Sequence, residues 1–140
     1  NERLDSMQAA ILSAKLDYLD VWNDRRIKNA SVYYNILSGC DKIELPKVNS
    51  DVSTHVYNQF VIATDQRNEL KEFLLSQGIE TGIQFPLALH KQPVYIRTAG
   101  QSSFPNSERL ADTCLSLPVH AQITTAQVET VANAILDFFN

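Results

Sequence analysis

Histidines are the first residues of this sequence to examine for chemistry. His55, His90 and His120 lie 35 and 30 residues apart, and they form no Cys/His cluster. Zinc sites use closely spaced pairs of His and Cys ligands, so this spacing predicts no metal site. His90 differs from the other two because it precedes Lys91 in a polar pair within an apolar, proline-containing stretch. A single histidine is more often a packed or capping residue than a catalytic one, so His90 alone predicts only a loop of interest.

Other common signatures of chemistry are missing from the sequence. It contains no GxGxxG or GxxxxGKS phosphate loop, no GxSxG nucleophile turn and no HExxH metal motif. From the residues alone, the chain is predicted to be a soluble α+β domain whose chemistry is not specified by any short motif.

Composition narrows the class of protein. The 140 residues carry 12 basic and 16 acidic side chains, for a net charge of −4, with no run of Lys or Arg. Nucleic-acid binding depends on basic surfaces, so nucleic acid is excluded as an expected partner. No apolar run approaches the roughly 20 residues that span a bilayer, so no membrane association is expected. Cys40 and Cys114 stand far apart and are predicted to be buried thiols without a disulfide.

The elements that would position any site follow from periodicity. Residues 1–39 form a long helical region with two apolar stripes and a predicted break near residues 20–23. Gly39 is predicted to end this region as a left-handed cap. The first stripe consists of Leu4, Met7, Ile11 and Ala14, and the second of Ile27, Ala30, Tyr34 and Leu37.

The rest of the chain predicts a small sheet with helices packed against it. Within residues 42–86, strands are predicted at 56–62 and 81–85, with a short edge segment at 43–48. Between the strands, a helix capped by Asp65 is predicted to close at Gly78. A long loop follows at 86–105, and loops of that length are often functional. Residues 107–140 predict two helices: the first runs through Cys114 and Leu115, and the second begins at the capping box Thr124-x-x-Gln127.

Three longer segments resemble one known family. They are NERLDSMQAAILSAKLDYLDVWNDRR (1–26), GIETGIQFPLALHKQPVY (78–95) and SERLADTCLSLPVHAQIT (107–124). In this order they resemble the DegT/DnrJ/EryC1/StrS aminotransferases, which use pyridoxal phosphate to aminate keto sugars linked to nucleotides. The resemblance covers almost the whole chain. It implies the C-terminal small domain of a fold-type I enzyme, with the cofactor domain and its Schiff-base lysine upstream of Asn1.

The resemblance also implies roles for particular residues. Asn1 matches an asparagine that reaches the cofactor phosphate in the neighbouring subunit. Arg3 matches the arginine beside it, whose planar guanidinium suits a cofactor phosphate or a diphosphate; a structural ion pair with a carboxylate is the alternative role for Arg3. His90 matches a histidine at the mouth of the sugar pocket. The family's His-Tyr-Pro, which contacts substrate, is here Gln84-Phe85-Pro86, so the resemblance implies Gln84 and Phe85 as altered substrate contacts. Gln84 can still donate and accept hydrogen bonds, but Phe85 can only pack or stack. No catalytic residue is predicted within this chain.

The partners and location implied by the resemblance are equally specific. They are a nucleotide-sugar substrate, an amino donor expected to be glutamate, and a second copy of the chain in a homodimer, in the cytoplasm. The apolar stripe of the first helical region is expected to be partly uncovered unless a partner covers it. Without the upstream lysine, the chain alone is expected to be inactive.

Two alternatives stay open on the sequence. A stand-alone binding or regulatory α+β module would also lack the lysine. The small domain of another fold-type I pyridoxal enzyme, such as a desulfurase, would share the fold but act on amino acids. The three ordered segments favour the sugar aminotransferase over another fold-type I enzyme of this kind.

Overall fold

The fold is described by a computed structural model that covers residues 3–47, 55–99 and 102–140. In chain order its helices and strands are α1 (Ser6–Leu16), α2 (Leu19–Leu37), β1 (Phe60–Ala63), α3 (Arg67–Ser76), a 3-10 turn (Leu89–Lys91), α4 (Pro93–Ala99), α5 (Pro105–Thr113), β2 (Cys114–Leu117) and α6 (Thr125–Phe139). This arrangement confirms the predicted α+β fold class, a small sheet covered by helices.

The sheet is antiparallel and has two different faces. β1 and β2 pair so that Phe60 lies opposite Leu117 and Ile62 opposite Leu115. These four side chains are buried, while Val61 and Ser116, which point the other way, are half-buried. Side chains alternate across a strand, so one face of the sheet belongs to the core and the other is left for a cavity.

The core lies between the buried sheet face and the helices α2, α3 and α6, with Leu70 and Leu74 as the fully buried core residues of α3. α2 contributes Ala30, Tyr33 and Leu37, and α6 contributes Val128 and Ile135. Tyr33 is fully buried and donates from its hydroxyl to the Pro118 carbonyl at 2.8 Å. Burial raises the pKa of this phenol above its usual range. Tyr33 was not part of the predicted stripe, although Ala30 and Leu37 were.

The second predicted stripe faces the core, since Ala30 and Leu37 are buried, whereas Met7 and Ile11 of the first stripe are exposed on α1. The break falls at residues 17–18, earlier than predicted, and α1 begins with a real cap, since Asp5 accepts from the Gln8 amide at 2.9 Å. Gly39 is not a left-handed cap. The C-cap of α2 is Ser38, in a right-handed conformation, and among the described glycines Gly78 is the one with positive φ, at 75°. The break occurs where Asp17 and Tyr18 follow Leu16, so the second stripe lies on a separate helix, α2.

Several sheet predictions are corrected by the structure. The strand predicted at 56–62 is limited to Phe60–Ala63, since Tyr57 just before it has φ of 49°. The segments predicted at 43–48 and 81–85 each contribute one isolated bridge, Glu44 to Ala63 and Gly82 to Ser116. They lie at the two edges of the sheet, where Pro46 and the turn before Pro86 limit further pairing.

The helix predictions in the second half are corrected in three places. α3 is not capped by Asp65, because its N-cap is Gln66, whose amide donates to Thr64 Oγ1 at 3.3 Å. The loop predicted at 86–105 contains the 3-10 turn and α4. The helix predicted to run through Cys114 ends at Thr113, and Cys114–Leu117 forms β2. Gly78 and the Thr124–Gln127 capping box are confirmed.

No helix within residues 3–47, 55–99 and 102–140 combines the length and apolar character required to cross a membrane.

Candidate functional site

The outer face of the sheet forms the floor of a cavity of about 450 Å³. Its walls come from the segment after Gly82, from the 3-10 turn and from α5. The lining residues share one property, which is that all 15 are uncharged: Gln59, Val61, Gly82, Ile83, Gln84, Phe85, Leu87, Ala88, Leu89, Gln92, Ser107, Leu110, Ala111, Cys114 and Ser116. We call this space the apolar cavity. Its leucines, Val61 and Phe85 offer apolar contact, and its amides and hydroxyls offer a few hydrogen bonds.

Gln84 and Phe85, both predicted as substrate contacts, line the apolar cavity. Phe85 is 78% exposed, so its ring is free to contact a bound molecule or another part of a larger protein. Gln84 lies close over Gly82, because a Cβ at that glycine would approach Gln84 Nε2 to 3.3 Å. A side chain at position 82 would therefore push Gln84 away from the sheet.

A wider polar groove continues from the apolar cavity. It has a volume of about 920 Å³ and shares Gln59, Gly82, Gln84 and Ser116 with the cavity. Arg26 and His120 stand on this groove, and Arg26 donates to the Asn58 carbonyl at 3.2 Å. Gln84 thus lies where an apolar space meets a polar one.

His90 is near the cavity but is not one of its lining residues. Its side chain is 11% exposed, and Nε2 lies 3.0 Å from Glu108 Oε1. The imidazole also meets the Phe104 ring edge to face, with centroids 4.9 Å apart. His90 therefore faces α5, while its neighbour Leu89 lines the cavity. The predicted contact between His90 and substrate stays a prediction.

Glu108 is a site residue that the sequence reasoning did not single out. Its carboxylate accepts from Lys91 Nζ at 2.7 Å and from the Phe104 amide at 3.1 Å, in addition to facing His90. The hydrogen bonds from Lys91 and Phe104 lower the pKa of Glu108 from 4.5 to about 2, and His90 adds to this effect. Glu108 could have been singled out from its position, because it lies in the first turn of α5. The first turn of a helix favours an acidic side chain.

Arg3, one of the two predicted cofactor residues, is not brought to this cavity. Asn1 lies outside the described residues. Arg3 is exposed, forms no ion pair with another described residue, and precedes α1, none of whose residues lines the cavity. The structure therefore leaves Arg3 open to solvent or to another chain.

The residues of the apolar cavity do not fit pyridoxal phosphate as its holding site. A phosphate needs cationic or clustered N–H donors, and the cofactor aldehyde needs an amine. Neither Lys nor Arg lines the cavity, and Lys91, the nearest lysine in sequence, is paired with Glu108. No step of a pyridoxal reaction is assigned to these residues.

The described residues also give no evidence of a reactive cysteine or a metal site. Cys40 and Cys114 are free and half-buried, somewhat more open than predicted. Burial raises the pKa of the Cys114 thiol, which makes it a weaker nucleophile at neutral pH. Within the described part of the chain, no three His, Cys, Asp or Glu side chains come together as a metal-binding group.

Comparison with known proteins identifies the family. The model of the DegT/DnrJ/EryC1/StrS aminotransferase family matches residues 1–136. The chain belongs to this family. The resemblance drawn from the three sequence segments is confirmed.

Individual members of the DegT/DnrJ/EryC1/StrS family match over nearly the whole chain. The dTDP-3-amino-3,6-dideoxy-alpha-D-galactopyranose transaminase of Aneurinibacillus thermoaerophilus is 39% identical over 96% of the chain, which covers 36% of that protein. The pleiotropic regulatory protein of Geobacillus stearothermophilus is also 39% identical, over 99% of the chain and 38% of its own length.

A solved structure of the family has the same fold. The crystal structure of S. venezuelae DesV in complex with a ketimine intermediate superposes with a TM-score of 0.93 at 36% identity, covering 97% of this chain and 37% of that one. The chain thus spans little more than a third of the length of the relatives it matches.

Proposed function

We propose that this chain is the C-terminal part of a cytoplasmic pyridoxal-phosphate-dependent aminotransferase that aminates a nucleotide-linked keto sugar. Support comes from the family match, from the sugar transaminase among the relatives, and from the fold shared with DesV. In this proposal the cofactor supplies the chemistry of amino transfer when bound. It is held mainly by parts of the protein outside this chain, since the described cavity offers neither an amine nor a cation.

The observation that carries the proposal is the uncharged lining of the apolar cavity. A sugar ring presents hydroxyls at its edge and C–H groups on its faces. The amide and hydroxyl side chains of Gln59, Gln84 and Ser116 can form hydrogen bonds with the sugar hydroxyls. The side chains of Phe85 and Leu89 can pack against the C–H faces of the ring. We propose that the sugar ring lies against this cavity, with Gln84 and Phe85 in direct contact.

The uncharged lining also predicts the charge of the sugar. A ligand carboxylate placed in the cavity would lose water without gaining a cationic partner. We therefore propose a neutral keto sugar as substrate rather than a uronic acid. Because Phe85 lacks a hydroxyl, the part of the ring it faces is expected to be apolar, as in a deoxy sugar.

The remaining roles are proposed from the family. Arg3, exposed at the start of α1, and Asn1 are proposed to reach the cofactor phosphate of a second subunit, which makes the enzyme a homodimer. Arginine suits a phosphate because its planar guanidinium can donate two hydrogen bonds at once. Glutamate is the proposed amino donor.

Two substrates that differ in charge test the proposed function. The full-length enzyme, loaded with pyridoxal phosphate and given glutamate, should aminate a neutral nucleotide-linked keto sugar at least about tenfold faster in kcat/KM than the matching uronic acid. Leu110→Asp, which puts a charge into the cavity wall, should reduce turnover of the neutral sugar. Leu75→Asp is the matched control, since this exposed leucine of α3 lines neither the cavity nor the groove. Turnover of amino acids alone, with no keto sugar accepted, would contradict the proposal.

A non-catalytic regulatory role is the second candidate. One relative is described as a pleiotropic regulatory protein, and it matches the chain as well as the transaminase does. This candidate predicts that the full-length protein binds the nucleotide sugar without converting it. The same assay separates the two candidates.

A further inference from the structure

The carboxylate of Glu108 joins two parts of the chain that are 18 residues apart. It lies 3.0 Å from His90 Nε2 and 2.7 Å from Lys91 Nζ, both on the 3-10 turn. It also accepts from the Phe104 amide at the start of α5, at 3.1 Å. We call the set of His90, Lys91, Phe104 and Glu108 the clamp.

The clamp connects two separate segments that line the apolar cavity. On one side, Leu89 and Gln92 flank His90 and Lys91 and line the cavity. On the other, Ser107 and Leu110 flank Glu108 and line it as well. The separation of these walls, and hence the width of the space for a ring, depends on the clamp.

The chemistry of the clamp determines which way its hydrogen bond runs. Lys91 and the helix start keep Glu108 ionised, and a carboxylate only accepts. His90 Nε2 is therefore the donor. With one nitrogen committed to Glu108, the ring packed on Phe104 and only 11% of the side chain exposed, His90 is turned toward α5 rather than into the cavity.

We propose that His90 is a positioning residue of the sugar site, which holds the two walls of the apolar cavity at their working distance through Glu108. This inference rests on the proposed function, since it concerns the site where the sugar ring is proposed to lie. It replaces a direct contact between His90 and the sugar by an indirect one, and it gives Glu108 an assigned role.

Two matched substitutions at position 90 test the proposal in the full-length enzyme. His90→Gln keeps an N–H donor near the position of Nε2, whereas His90→Leu keeps the size and removes the donor. We expect His90→Leu to raise KM for the keto sugar about tenfold with kcat changed less than about twofold, and His90→Gln to restore most of the affinity. Glu44→Gln is the control, because it removes the charge that pairs with Arg109 of α5, and neither residue lines the cavity.

A double-mutant cycle separates positioning from direct contact. If His90 acts through Glu108, His90→Leu should add almost nothing to the effect of Glu108→Ala on KM. If instead the two substitutions raise KM independently, so that their fold-changes multiply in the double mutant, the His90 ring itself contacts the substrate and the proposal is overturned. An increase in KM as large in His90→Gln as in His90→Leu would overturn it as well.

Amide hydrogen exchange tests the clamp without measuring catalysis. Amide exchange in residues 85–97 and 104–110 should increase in His90→Leu and return toward the wild-type rate in His90→Gln, whether or not the enzyme turns over a sugar. Unchanged exchange in His90→Leu would overturn the clamp. A wild-type enzyme with no sugar turnover but with the expected exchange pattern would contradict the proposed function alone.

Discussion

At the residue scale, protonation of Glu108 is linked to the stability of the cavity walls. Its pKa is lowered from 4.5 to about 2 in the folded chain, chiefly by Lys91. A carboxyl group with a lowered folded pKa contributes stability above its unfolded pKa and loses that contribution as the pH falls through the folded value. The contribution is therefore complete above about pH 5 and disappears toward about pH 2.

We expect Glu108→Gln to lower the thermal unfolding temperature at neutral pH and to have a smaller effect near pH 2. Thermal unfolding followed by circular dichroism between these pH values measures both. An Asp112→Asn control on the same helix, an exposed carboxylate outside the clamp, should not reproduce this pattern. A constant difference between wild type and Glu108→Gln across the pH range would contradict the expectation.

A second residue, Asn29, has an unexpected structural role. It begins an Asn-Ala-Ser sequon but is 4% exposed, and its Nδ2 donates to the carbonyls of His120 and Ile123 at 3.4 and 3.3 Å. Asn29 thereby holds the segment before α6 against α2. Because Asn29 is buried, this sequon is not open to glycosylation in the folded chain.

Asn29→Asp should destabilise the fold by about 3 kcal/mol, because it places a buried carboxylate against two carbonyl oxygens. Urea unfolding measures the change. Asn35→Asp, at an exposed position of the same helix, is the control and should change stability by less than about 0.5 kcal/mol. A loss as small for Asn29→Asp as for the control would show that the two hydrogen bonds do not hold this segment.

At the element scale, α6 depends on its capping box. Thr124 Oγ1 accepts from the Gln127 amide at 3.3 Å, and Gln127 Oε1 accepts from the Thr124 amide at 2.9 Å. Thr124→Ala should cost about 1 kcal/mol of unfolding free energy. Thr130→Ala, which removes an exposed hydroxyl inside the same helix, should cost much less in the same denaturation experiment. Equal losses would mean that the cap contributes nothing beyond helix propensity.

Helices and strands differ in how well nearby residues predict them. The cap and stripe of α6 lie within a few residues of each other, so the sequence predicts that helix well. β2 was predicted as helix because SERLADTCL carries a helical pattern, and Cys114–Leu117 becomes a strand only by pairing with β1. Such pairing between distant segments leaves little trace in the sequence of either.

The candidate site was predictable only in part for the same reason. Gln84 and Phe85 were found through the family resemblance, and they do line the cavity. Glu108 was quoted within a matching segment, but nothing local connects it to His90, which approaches it through tertiary structure. The neutrality of the cavity wall likewise becomes apparent only when the sheet face, the 3-10 turn and α5 are seen together.

At the scale of the whole molecule, α1 leaves a large apolar surface open. None of its residues is buried, and Met7, Ile11 and Leu16 are 72%, 48% and 63% exposed. Exposed patches larger than a few hundred Å² generally mark an interface. This exposure is what was expected of the first stripe without a partner.

We expect the full-length protein to form a dimer through this helix. Light scattering at micromolar concentration should give twice the monomer mass for wild type, and the Met7→Asp/Ile11→Asp variant should shift toward monomer. Ser13→Asp adds charge to the same helix outside the stripe and should remain dimeric. A strictly monomeric wild type would contradict both the dimer and the proposed reach of Asn1 and Arg3 into a second subunit.

A further whole-molecule prediction concerns the six lysines. None of them lines the apolar cavity, and Lys91 is paired with Glu108. Treatment of the 140-residue chain with pyridoxal phosphate and borohydride should therefore label several lysines weakly and none selectively. Peptide mapping by mass spectrometry gives the distribution. Stoichiometric labelling of one lysine, together with turnover of glutamate, would show that the chain alone is an active transaminase.

The two faces of the sheet have a consequence for how this protein could change over evolutionary time. Phe60, Ile62, Leu115 and Leu117 support the core, whereas Val61, Cys114 and Ser116 line the cavity. The two sets alternate along the same short strands, yet they contact different surroundings. Mutations in the second set would change the cavity proposed to hold the sugar ring at little cost to folding, while the first set keeps the core intact. Under that proposal, substrate preference can change without rebuilding the scaffold.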